Sequence, residues 1–130
     1  MESNHLTGVP SASLKVLDKL VKLSLGNNLI AKLEDASFTD ALSGLLFLNL
    51  SYNRIESISP DAFTPLHSLT ELYLSNNQLK DLRIAEPNNL EISILDLSEN
   101  LFKAMPSELN LKRLRKLSLA GRAAVCHAER

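Results

Sequence analysis

LFLNLSYNRI (46–55) alternates apolar and polar residues as a half-buried strand does, then breaks at Asn53 before the apolar pattern resumes at Ile55. The arrangement returns as LSLGNNLI (23–30) and as LYLSNNQL (72–79), each with two leucines in strand alternation followed, three residues on, by an asparagine. One such segment reads as a strand and its turn. Three in register read as a repeating structural unit.

The template L-x-x-L-x-L-x-x-N-x-L-x-x-L is met by Leu20, Leu23, Leu25, Asn28, Ile30 and Leu33. It is met again by Leu45, Leu48, Leu50, Asn53, Ile55 and Ile58, and by Leu69, Leu72, Leu74, Asn77, Leu79 and Leu82. A fourth copy substitutes conservatively: Ile92, Leu95, Leu97, Asn100, Phe102 and Met105. Leu114, Leu117 and Leu119 begin a fifth, whose asparagine position holds Arg122, while Asn4, Leu6 and Val9 match the second half of a unit whose strand is absent. The asparagines at 4, 28, 53, 77 and 100 are 24, 25, 24 and 23 residues apart. The expected division of this single array is a partial unit at 1–19, full units at 20–44, 45–68, 69–91 and 92–113, and a partial unit at 114–130.

With this period and this consensus the chain resembles a leucine-rich repeat protein. Phe63, Leu66 and Leu69 in ISPDAFTPLHSL, with Phe38 in EDASF, are similar to the repeats of animal extracellular arrays such as the ectodomains of Toll-like receptors, Slit-type proteins and proteoglycans. The third unit lacks this phenylalanine and the fourth has Leu109 in its place, which predicts less regular convex sides there. The resemblance implies an α/β solenoid, a right-handed superhelix with a parallel sheet of about five short strands on its concave face and irregular or short helical convex segments. It also implies protein recognition through the concave face. Near the carboxyl end, Gly121 and Cys126 fit the start of a disulfide cap of such arrays, but Arg122, Ala123 and Ala124 depart from it, which leaves a free thiol as the plainer reading.

The physical logic of the template is clear. The leucines of each L-x-L point to one face and must be buried by neighbours, at about 1.5 to 3 kcal/mol for each large aliphatic side chain. Where the chain leaves the strand, its peptide groups lose their sheet partners, and an orphaned buried group costs about 1 to 3 kcal/mol. An asparagine amide carries an acceptor and two donors, so Asn28, Asn53, Asn77 and Asn100 are expected to form a structural ladder bridging each bend to that of the next coil. Aspartate lacks the donors.

The residues between the leucines face solvent, and there Phe47 and Tyr73 fall on adjacent strands, with Tyr52 just after its strand and Glu71, Ile94 and Asp96 around them. Aromatic residues ringed by charge anchor protein interfaces, so these six are the candidate partner-binding residues. Gly26, Ser51 and Ser75 are expected on the same face. Asn49, in Asn49–Leu50–Ser51, is a candidate N-glycosylation acceptor, although the repeat template favours that tripeptide by itself.

Composition narrows the function classes. A formal net charge of −1 offers no broad attraction to nucleic acid or to an anionic membrane. A single cysteine excludes a multi-cysteine zinc site and a disulfide framework within this chain. The lone histidines His5, His67 and His127 assemble no catalytic set, so no catalytic, cofactor or metal residue is expected and the chain reads as non-enzymatic. No stretch approaches the run of about 18 apolar residues of a membrane helix. The leading expectation is a protein-binding module of a larger secreted or cell-surface protein; an intracellular scaffold and a structural fragment without activity of its own are the alternatives. Open leucine core at both ends, with an unpaired edge at the strand near Leu23, is expected to favour self-association.

Overall fold

The structure, a computed structural model, describes residues 3–84, 91–103 and 114–119, together with the backbone of 127–129. The elements follow in the order α1 (Ser11–Leu14), β1 (Lys22–Ser24), β2 (Lys32–Leu33), a 3-10 turn (Asp40–Leu42), β3 (Phe47–Asn49), β4 (Ser57–Ile58), β5 (Glu71–Tyr73), β6 (Ile94–Asp96), β7 (Lys116–Ser118) and β8 (His127–Glu129). Met105, Leu109, Gly121, Arg122, Ala123, Ala124 and Cys126 lie outside the described residues, so the cap reading does too.

The molecule is a solenoid. Strands β1, β3, β5, β6 and β7 pair in parallel in that order, and β8 closes the far side by pairing antiparallel with β7. The register carries the central leucine of every strand onto its neighbour, Leu23 to Leu48, Leu72, Leu95 and Leu117. Leu48, Leu72 and Leu95 are completely buried, as are Leu25, Leu50, Leu74 and Leu97 two residues further along. This is the alternation the sequence pattern demands, with one side of the sheet wholly apolar.

The return segments close over that side. Phe38 and Phe63 stack with ring centroids 6.2 Å apart, each almost fully buried, so the phenylalanines of successive coils form part of one core. A short second sheet on the return path pairs β2 with β4 in parallel. Among the described return segments, only α1 and the 3-10 turn are helical.

Asparagine side chains tie the coils together, and they reach backward. The amides of Leu6, Ile30, Ile55 and Leu79 donate to Oδ1 of Asn28, Asn53, Asn77 and Asn100 at 3.2, 3.1, 3.0 and 3.0 Å. Each acceptor belongs to the coil after its donor. Nδ2 of Asn53, Asn77 and Asn100 donates both to its own coil, at the carbonyls of Leu50, Leu74 and Leu97, and to the preceding one, at those of Leu25, Leu50 and Leu74. The forward bridge expected from the amide chemistry is therefore corrected in direction. Forward links are made by the backbone instead, the amides of Asn27, Tyr52 and Asn76 donating to the carbonyls of Ser51, Ser75 and Ser98.

Those amides belong to a periodic feature of the backbone. Ser3, Asn27, Tyr52, Asn76 and Glu99, each just before a template asparagine, all have φ between 54° and 59°. The left-handed turn swings the chain from the strand into the core and aims the following asparagine at the neighbouring carbonyls.

The amino-terminal end departs from expectation. Leu14 is buried, Leu6 and Val9 pack partly buried against the core, and Leu23 is only 6% exposed, so the leading half-coil covers the leucines there. Val16, Leu17 and Val21 nevertheless stay exposed at that end, and β1 has no strand partner on its outer side among the described residues.

Candidate functional site

Because the inner face of the sheet is filled by leucine, chemistry available to a partner lies on the outer face, where register sorts the side chains into rows. One row runs Lys22, Phe47, Glu71, Ile94, Lys116, and the next runs Ser24, Asn49, Tyr73, Asp96, Ser118. Phe47 and Tyr73 are diagonal neighbours on β3 and β5, within reach for aromatic side chains. Their centroids lie 5.2 Å apart with the rings tilted by 41°.

Charge surrounds this pair. Nζ of Lys22 sits 4.9 Å from the centroid of Phe47, a cation–π contact. The hydroxyl of Tyr73 donates to Oε1 of Glu71 at 2.6 Å. Burial first, then this hydrogen bond and the negative charges of Glu71 and Asp96, push the Tyr73 phenol up to about 12. Asp96 uses Oδ1 to accept the amide of Ser98 at 3.0 Å and its hydroxyl at 2.7 Å. Ile94 lies half-buried between Glu71 and Lys116.

Tyr52 stands apart from the rows. It is 57% exposed on its left-handed turn and lines a shallow groove together with Asn27, Phe47, Asn49, Ser51, Tyr73 and Ser75. The same position in the flanking coils is occupied by Asn27 and Asn76, residues that tolerate that conformation, whereas a bulky aromatic there is uncommon.

Other expected surface residues prove to be internal. Gly26, Ser51 and Ser75 are buried beneath the turns, and the hydroxyl of Ser75 donates to that of Ser51 at 2.9 Å, forming the groove floor. Asn49 is half-buried in β3; its Oδ1 accepts the amide of Ser51 at 2.9 Å, and its Nδ2, the atom that would carry a sugar, donates to Oγ of Ser24 at 3.3 Å. Lys22 is expected on this face from the strand alternation, and its contact with Phe47 adds it to the six candidate residues. Its place one coil before Phe47 in the repeat was the available signal.

A leucine-rich repeat family profile matches residues 18–79. The chain is a leucine-rich repeat protein. It is similar to a probable glycoprotein hormone G-protein coupled receptor of Anthopleura elegantissima, 41% identical over 76 residues, covering 58% of this chain and 8% of the relative. It is also similar to prolargin of Mus musculus, 42% identical over 100 residues, covering 77% of this chain and 25% of the relative. Among solved structures, the TLR13–ssRNA13 complex matches with a TM-score of 0.79 at 28% identity, over 88% of this leucine-rich repeat chain and 17% of that one. The chain therefore spans a quarter or less of the length of these relatives. Leucine-rich repeat domains generally serve as non-enzymatic modules that bind protein or other ligand partners.

Proposed function

We propose that this segment is the recognition surface of a larger extracellular or cell-surface leucine-rich repeat protein and that it meets a protein partner through the outer face of its sheet. The observation that carries the reading is the Phe47–Tyr73 contact, two aromatic rings held together on the solvent side of a rigid sheet. Rigid aromatics lose little entropy on binding and recur at the centres of protein interfaces.

The relatives support the setting, being mostly extracellular-matrix or cell-surface leucine-rich repeat proteins. The charges favour protein over nucleic acid as the partner. Lys22 and Lys116 share the face with Glu71 and Asp96, a mixed pattern, whereas phosphate backbones call for a basic stripe.

The test is a binding screen of the secreted chain against cell-surface and matrix proteins, repeated with Phe47→Ala and Tyr73→Ala. Both substitutions leave the buried leucines untouched, so circular dichroism is expected to be unchanged while binding falls by about tenfold or more. Partner binding at full strength in both variants overturns the reading.

A further inference from the structure

The partner's chemistry can be narrowed, on the premise that the outer sheet face is the binding surface. Across the two central strands an aromatic platform adjoins two carboxylates whose hydrogen bonding is only half complete. Glu71 accepts Tyr73 through Oε1 and Asp96 accepts Ser98 through Oδ1, which leaves Oε2 and Oδ2 without a hydrogen bond among the described residues. Neither acid has a salt bridge among the described residues, where Arg83 pairs with Asp81 instead. Among the described residues, the cation against this aromatic cluster, Lys22, is on its opposite flank over Phe47. Burial first, then the hydrogen bond to Glu71 and the charges of Glu71 and Asp96, raise the pKa of the Tyr73 phenol between them.

Beyond Tyr73 from the acids, the groove beside Tyr52 opens, walled by Phe47, Tyr52 and Tyr73. The face thus offers a groove walled by three aromatic rings and floored by serine hydroxyls at one end of the Tyr73 ring, and carboxylate oxygens without a salt bridge among the described residues at the other. We propose that this notch receives an arginine side chain of the partner, its stem crossing Tyr73 from the groove and its guanidinium bonding the free oxygens of Glu71 and Asp96. Arginine fits better than lysine. Its planar fork of five donors can serve two carboxylates at once, stacks on an aromatic ring and is weakly hydrated, whereas an ammonium is a point charge that surrenders more hydration.

The decisive experiment is a nuclear magnetic resonance titration of the full chain with blocked tripeptides Gly-Arg-Gly, Gly-Lys-Gly and Gly-Glu-Gly. The arginine peptide is expected to give saturable shifts at the amides of Glu71, Tyr73 and Asp96, with affinity about fivefold above that of the lysine peptide. The glutamate peptide should leave them in place. A Glu71→Gln, Asp96→Asn double variant, conservative in shape, should retain the folded spectrum and lose the arginine response. Equal shifts from the arginine and glutamate peptides, or an arginine response that survives the double variant, overturn the proposal. A protein partner lost on Phe47→Ala but bound normally by the double variant would overturn the arginine notch alone. A partner indifferent to Phe47→Ala and Tyr73→Ala would remove the premise as well.

Discussion

The amide of Ile30 donates to Oδ1 of Asn53 at 3.1 Å, although the two residues belong to different coils, and both are buried. This single bond orders the contributions to the ladder. The carbonyls of Leu25 and Leu50 each accept from two asparagine side chains and would keep one on removal of Asn53, whereas the Ile30 amide would be orphaned.

Asn53→Ala should therefore destabilise the chain by about 2 to 3 kcal/mol, the penalty for one orphaned donor plus weakened carbonyls. Asn53→Asp should not rescue it, because a carboxylate accepts from Ile30 but presents no donor to Leu25 and Leu50. Urea denaturation followed by circular dichroism checks both; a loss under about 0.5 kcal/mol for Asn53→Ala would refute the ladder's energetic role.

Leu48→Ala removes a fully buried side chain on β3, between the register partners Leu23 and Leu72. Its cost should lie between about 2 and 5 kcal/mol, with little collapse of the cavity because neighbouring coils clamp both sides. Leu23→Ala, in the edge strand, should cost less. The comparison of denaturation midpoints tests whether burial is shared along the stack.

Tyr52 bears backbone strain that its counterparts Asn27 and Asn76 avoid. Tyr52→Asn should raise stability by about 1 kcal/mol, visible as a higher Tm, since the left-handed conformation costs a bulky residue about 1 to 2 kcal/mol. The same substitution should weaken partner binding. A gain in Tm without a loss in binding would assign Tyr52 no part in recognition.

Tyr73 gives a pH signature. Its folded pKa of about 12 exceeds the ordinary 10.0, so the unfolded chain releases this proton first as alkalinity rises. The sign follows: the contribution is fully present below pH 10 and is lost as pH climbs toward about 12. In Tyr52→Phe, where Tyr73 is the one remaining tyrosine of the 2 in the chain, tyrosinate absorbance should report that midpoint directly. Adding Glu71→Gln should move it downward.

Much of this architecture is legible in the sequence because it rests on side chains that recur. The L-x-L pairs place all five parallel strands, and the period alone puts Phe47 beside Tyr73. Less legible are the features that backbone conformation decides. The left-handed turn is hinted at by the doubled asparagines at 27–28 and 76–77, yet Tyr52 and Glu99 disguise it in the other coils. Ser51 and Ser75 continue the strand alternation on paper, and the turn draws them inside. The Tyr73–Glu71 bond joins residues two apart on one strand, a pairing for which the period carries no signal.

The backward-reaching amides have an evolutionary corollary. The coils are joined by strand pairing, by the leucine core and by polar bonds inside the stack, and the side chains of Phe47, Tyr52, Glu71, Tyr73 and Asp96 take no part in those polar bonds. Residues that tie coil to coil and residues that face a partner are thus interleaved along the chain yet largely distinct, so selection, or a protein engineer, can rewrite the outer face at a local cost, as at Tyr52, while the ladder stays in place.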